Sequence, residues 1–233
     1  MKFPFISLAL FTAFILSATT GIAQNCSKYY PMKKGTVYEL TKYDKKNKVA
    51  GTTKNEITDF KTEGSNQVAT IHNVVTDEDG KETVNAEFRI ICDGKGVTLD
   101  MMEVIKEKVA SSASGTEVDA DITGTNPYIP NNLTVGTNLP DSHVDMDFSA
   151  GEVKMSFGAK TFNKKVVGTE TITVPAGTYD CVVLTEDNDT QMLISKHTNS
   201  KLWIAEGVGV VKHETYDKKG KLTETEVLTS FRN

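Results

Sequence analysis

The chain of 233 residues carries 26 lysines and arginines against 31 aspartates and glutamates, a net charge of −5. The two signs are interspersed, which excludes the concentrated basic face of a nucleic-acid binder. At this length one domain is the default for an all-β chain.

The N-terminus predicts the compartment. Lys2 supplies a positive start, Phe3 to Leu16 is an almost unbroken apolar run, and Gly21-Ile22-Ala23 offers small residues where a signal peptidase reads. A signal peptide over 1–23 and a single β-rich domain over 24–233 are expected, with the protein periplasmic or secreted. The apolar run falls short of the ~20 residues that span a bilayer, and no later segment is a candidate, so no transmembrane anchor is expected. Cys26 lies near the cut, but Gln24-Asn25 stand where a lipobox needs small residues, which places secretion ahead of lipidation. Removing 1–23 takes four of the ten phenylalanines, and the loss of Lys2 moves the charge from −5 to −6. The remaining apolar residues are mostly Val, Ile, Leu and Tyr, a composition that favours sheet.

All three cysteines lie beyond the signal, in an oxidising compartment, so one pair and one leftover are expected. Cys26, in an otherwise untethered segment, is paired with Cys92, which ends the strand-like run Ala86 to Ile91. Closing so long a loop stabilises by about 3 to 5 kcal/mol in the chain-entropy model. Cys181 is then a buried free thiol between Tyr179 and Val183 on one strand face. No Cys-x-x-Cys or neighbouring histidine supports a redox role for it.

The elements, in chain order, read as hairpins. Tyr43-Asp44-Lys45-Lys46-Asn47-Lys48 and Tyr216-Asp217-Lys218-Lys219-Gly220-Lys221 are nearly one hexapeptide, with Asn47 and Gly220 where a hairpin loop needs positive φ. Asp77-Glu78-Asp79-Gly80-Lys81 repeats the turn between strands over 67–76 and 82–93, and three copies of one solution point to a meander. Tyr38 and Leu40 alternate with Glu39 and Thr41, and Ile172 and Val174 with Thr171 and Thr173, as half-buried strands do. Cys181 to Leu184 is apolar on both faces and belongs inside the sheet. From Asp100 to Ala110, Met102, Ile105 and Val109 recur at helical intervals and Asp100 could cap the start, which predicts a short covering helix. Ser111 to Gly115 reads as a flexible loop and Pro127 to Asn132 as an extended, turn-rich connector.

Chemistry is weakly signalled. Asp141, His143, Asp145 and Asp147 alternate, so a strand would project all four from one face, where they could hold a divalent cation or form a solvated edge. The spacing to Glu152 imitates a calcium loop, but Met146 stands where that loop needs glycine, which favours the solvated edge. His72, His143, His197 and His213 are scattered over strand-like segments and read as exposed. No Gly-x-Ser-x-Gly elbow occurs, and Gly207-Val208-Gly209 reads as a bulge or close backbone approach rather than a nucleotide cradle. Asn132-Leu133-Thr134 matches a glycosylation sequon.

Four segments together carry a family resemblance: Pro130 to Asp141 (PNNLTVGTNLPD), Val166 to Glu170, Val174 to Cys181 (VPAGTYDC) and Trp203 to Lys212 (WIAEGVGVVK). In this order the chain resembles the TapB-like group of bacterial periplasmic proteins, related to the domain of unknown function numbered 3108. The similarity covers most of 24–233, and the order of the motifs is more specific than any one of them. It implies a strongly curved antiparallel sheet, a half-barrel with helical or loop cover akin to the LolA and LolB envelope carriers, with no catalytic residues to carry over. Ile204-Ala205-Glu206 stand where aromatic and proline residues are more usual.

Two functional classes follow. A curved sheet could hold a lipid, acyl chain or hydrophobic peptide on its concave face, with Met101, Met102 and Ile105 as an adaptable cover. Alternatively the concavity is filled by the protein's own side chains, and the molecule is a structural or interaction module of the envelope; this reading stands slightly ahead because filled small barrels are the usual outcome. An enzyme ranks third, for want of convergent titratable groups, and no cofactor is expected.

Overall fold

The computed structural model describes residues 26–102, 105, 119–150, 153–191 and 195–233. The strands are β1 (Val37–Asp44), β2 (Val49–Glu63), β3 (Asn66–Thr76), β4 (Glu82–Cys92), β5 (Gly96–Asp100), β6 (Asp119–Thr125), β7 (Tyr128–Pro130), β8 (Ser142–Ala150), β9 (Val153–Val174), β10 (Gly177–Gln191), β11 (Lys196–Ala205), β12 (Gly209–Asp217) and β13 (Leu222–Arg232). All thirteen join one mainly antiparallel sheet in the order β6-β8-β9-β10-β11-β12-β13-β1-β2-β3-β4-β5-β7. Two meanders, β1 to β5 and β8 to β13, are zipped together where β1 pairs with β13.

The middle of the chain proves the curvature. β6 ends at Thr125, paired to His143 on one sheet edge, and β7 begins at Tyr128, paired to Thr98 at the other. Three residues span at most about 11 Å, whereas thirteen strands laid flat would be about 58 Å wide. The sheet is therefore bent until its edges nearly meet, bridged by the crossing chain instead of a hydrogen-bonded ladder. Pro127 O accepts from Leu99 N at 2.9 Å and Asn126 Nδ2 donates to Asp100 Oδ1 at 3.1 Å, which ties the crossing to β5.

Side chains fill the space so enclosed. Ile57, Ile71, Phe88 and Ile90 from β2 to β4 share one buried cluster with Val166, Leu184 and Ile204 from β9 to β11, strands far apart in the sheet order. Tyr29 and Met32 from the N-terminal segment and Leu133 and Leu139 from the loop before β8 complete it. A second cluster joins Cys181, Val183, Trp203 and Ala205 to Tyr38, Leu40, Val211 and Leu228. Residues alternate between the clusters along β10 and β11, so both faces there are covered, as the doubly apolar run requires. Ala176 N donates to Leu228 O at 3.3 Å, folding the β9–β10 hairpin over β13.

Cys26 and Cys92 form a disulfide across 66 residues of sequence, and Cys181 is free and buried. The bridge holds the N-terminal segment in the mouth of the sheet, where Asn131 Nδ2 also donates to Cys26 O at 2.7 Å. The three repeated turns are alike atom for atom. Asp44, Asp77 and Asp217 each accept through Oδ1 from the second and fourth following N–H groups at 2.8 to 3.0 Å. Asn47, Gly80 and Gly220 hold φ of 60°, 79° and 75°, the left-handed residue that closes a three-residue hairpin loop.

The middle section differs from its sequence reading in one respect. The connector over 127–132 contains β7, a strand of three residues that pairs only because the crossing chain passes beside β5. The expected signal peptide, most of the covering helix and the Ser111 to Gly115 loop lie outside the described residues; within them, Ile105 N donates to Met101 O at 3.2 Å.

Candidate functional site

A cleft opens at the disulfide end. It has a volume of about 1300 Å³ and is lined by Tyr30, Pro31, Met32 and Phe60 together with Lys28, Lys33, Lys34, Gln67, Asn131 and Glu206. Its walls are tied through the Lys28 backbone: Lys28 N donates to the Asn131 side-chain Oδ1 at 2.8 Å, and Gly207 N donates to Lys28 O at 2.9 Å. Lys28 Nζ meets Glu206 at 2.8 Å, and that bond raises its pKa above the ordinary lysine value. A Cβ at Gly209 would lie 3.3 Å from the Tyr30 ring, so the second glycine of Gly207-Val208-Gly209 is the close backbone approach read from the sequence. The groove mixes lysines, amides, one carboxylate and apolar side chains.

A second group of polar residues faces inward. Lys164, 4 % exposed, donates from Nζ to the buried Ser142 Oγ at 2.9 Å and borders a small pocket of about 340 Å³. Burial pushes its pKa below the ordinary lysine value, against the pull of Glu186 and Asp141. Glu186 is held above the usual carboxylate value by burial, partly offset by Lys164 and His213. His213 is not an exposed strand histidine: its Nδ1 lies 3.6 Å from Glu226 Oε2 and its Nε2 is buried without a hydrogen-bond partner. The inward parity is legible, since Glu186 follows Val182 and Leu184 at intervals of two. The bulge at Asn163, φ 52°, conceals it for Lys164.

His143, Asp145 and Asp147 of β8 lie on one exposed face, as the alternation required, and the exposed Asp141 immediately precedes the strand. β9 engages two of them, Ser156 Oγ donating to Asp147 Oδ1 at 2.5 Å and Lys160 Nζ lying 3.7 Å from Asp141, while His143 Nε2 lies 3.9 Å from Asp145 on its own strand. Among the described residues no group of three His, Cys, Asp or Glu side chains converges as a metal site. His72 Nε2 bonds Asn85 Oδ1 at 2.8 Å, and His197 Nδ1 bonds Asp189 Oδ1 at 2.6 Å, both as cross-strand partners.

Residues 33–228 match the DUF3108-like family. The chain belongs to it. No curated protein matches the chain. Two solved structures share the fold. A Bacteroides fragilis protein described as exported, with a YmcC-like fold, superposes with a TM-score of 0.71 at 18 % identity over 89 % of this chain and 100 % of its own. A Parabacteroides distasonis protein described as a lipoprotein gives 0.71 at 22 % identity over 90 % and 100 %.

In this DUF3108-like chain the tryptophan of the fourth motif is a sealed part of the second cluster, 3 % exposed. Trp203 Nε1 donates to Glu170 Oε2 at 2.8 Å, and the ammonium groups of Lys201 and Lys212 stand 4.4 and 4.6 Å from its ring centre. Glu170 and Glu214 neutralise those lysines at 3.0 and 2.6 Å. The indole is thus covered by the chain's own cations and offers no platform to a ligand. Burial pushes the Cys181 thiol up to about 11, so it is an unreactive packing residue at neutral pH.

Proposed function

We propose that this DUF3108-like protein is an exported, non-enzymatic structural or interaction module of the cell envelope. The observation that carries the reading is the filling of the concave face: Tyr29, Met32, Leu133 and Leu139 occupy the position a carried lipid would need, packed against both halves of the sheet. Export is supported by the apolar run Phe3 to Leu16, by the Cys26–Cys92 bridge and by the descriptions of the two similar structures as exported and as a lipoprotein. A non-enzymatic role is supported by the separate engagement of the inward groups, Lys164 with Ser142 and His213 with Glu226. The competing reading, carriage of a lipid or other hydrophobic ligand, rests on the cleft of about 1300 Å³ beside the disulfide.

Native mass spectrometry of protein purified from an envelope extract separates the two. Our reading predicts a polypeptide that begins near Gln24 with nothing bound. A co-purifying lipid, lost from a Gln67→Trp variant that crowds the cleft, would establish the carrier instead.

A further inference from the structure

The end of the sheet opposite the disulfide carries two tips built from one sequence. The β1–β2 tip bears Lys45, Lys46 and Lys48 and the β12–β13 tip bears Lys218, Lys219 and Lys221, all exposed, each set against a single aspartate. β13 pairs directly with β1, so the tips stand two strand spacings apart, about 10 Å. That is comparable to the Debye length, about 8 Å at physiological salt and about 10 Å at 0.1 M, so an extended anionic surface meets the six ammonium groups together. Among the described residues none of the six forms an ion pair within 4.0 Å.

The fold does not demand these lysines. The β3–β4 tip makes the same hydrogen bonds through Asp77 with Glu78 and Asp79 in the positions of the lysine pairs. Lysine closes all three turns as Lys48, Lys81 and Lys221, but the two residues after the aspartate are not fixed by the turn, so Lys45, Lys46, Lys218 and Lys219 are free to answer to something outside the molecule. Each basic tip is also followed at once by an exposed apolar residue, Val49 at 50 % and Leu222 at 39 %, two of the few large hydrophobics left in solvent. On a chain of net charge −5, a concentrated cationic rim edged with apolar side chains is complementary to one kind of surface: anionic headgroups over an apolar layer.

We propose that the β1–β2 and β12–β13 tips dock the protein on an anionic phospholipid bilayer. Lys45, Lys46, Lys218 and Lys219 lie among the headgroups, and Val49 and Leu222 reach the boundary with the acyl chains. The acidic β3–β4 tip stands off, tilting the molecule toward the basic pair. This goes beyond the proposed envelope role and is measured independently of it.

The test is co-sedimentation of the purified, processed protein with vesicles of phosphatidylcholine alone or with about one third phosphatidylglycerol. Each lysine near an anionic surface strengthens binding about fivefold, so the variant Lys45→Gln, Lys46→Gln, Lys218→Gln, Lys219→Gln should bind anionic vesicles about 100-fold more weakly or worse. Lys61→Gln, Lys95→Gln at the opposite end, exposed and outside the cleft, should bind as wild type. Val49→Ser, Leu222→Ser should weaken the binding that persists at high salt. Equal binding to neutral and anionic vesicles, or a tip variant that binds like wild type, overturns the proposal. So does tight binding to soluble dextran sulfate with no effect of Val49→Ser, Leu222→Ser on vesicles, which would make the partner an anionic polymer.

Discussion

The two ends of the curved sheet solve opposite problems. At one, the Cys26–Cys92 bridge draws in a segment whose Tyr29 and Met32 are buried beside Ile57 and Phe88. At the other, three hairpins end in turns held by an aspartate and its own backbone, with lysines or carboxylates exposed at the tips. Stability is concentrated where the chain is plugged. Surface chemistry varies at the two residues after the turn aspartate, which the turn leaves open, so the same backbone can present positive charge twice and negative charge once.

If that division is right, the largest effect on folding comes from the plugged end. A Cys26→Ser, Cys92→Ser variant frees a loop of 66 residues and should lose about 4 kcal/mol in denaturant unfolding, with a matching loss when the wild type is reduced. An unchanged midpoint would mean that the N-terminal segment holds its place without the bridge.

A smaller effect belongs to the buried polar group between the ends. Because burial raises the Glu186 carboxyl above its usual value, the native state keeps a proton there that the unfolded chain has already released. Stability should therefore fall as pH rises from the ordinary carboxylate value through the native one, and Glu186→Gln should remove that part of the slope. A variant whose pH profile of unfolding overlays the wild type would show that Glu186 is solvated in the native protein. The smallest effect is expected at the tips, where Lys45→Gln with Lys218→Gln should change stability by no more than about 0.5 kcal/mol. A larger loss would mean that the lysines serve the turns after all.

Much of this contrast is legible before any coordinates. Asp44, Asp77 and Asp217 announce three turns because the positive-φ position and the backbone-accepting carboxylate are local requirements, readable within six residues. Cys181 to Leu184 reports a strand covered on both faces by its own alternation. The β6–β7 crossing is illegible for the opposite reason. Tyr128 to Pro130 has no strand pattern of its own and pairs only because the far edge of the sheet arrives beside it. The inward Lys164 is hidden by a bulge that shifts the parity of β9, and His213 by a bulge in β12 that sets it opposite Leu202 on the enclosed face while Val211 lies on the other. The family motif marks Trp203 without its surroundings, and only the packing shows Lys201 and Lys212 seated on its ring.

The most direct test of the account is titration of the native protein with a fluorescent fatty acid whose emission rises in apolar surroundings. Because Tyr29, Met32, Leu133 and Leu139 fill the enclosed face, the signal should stay at the level of the free probe throughout the titration. Saturable one-to-one enhancement on the native protein, abolished by Gln67→Trp, would show a hollow that accepts an acyl chain and would contradict it.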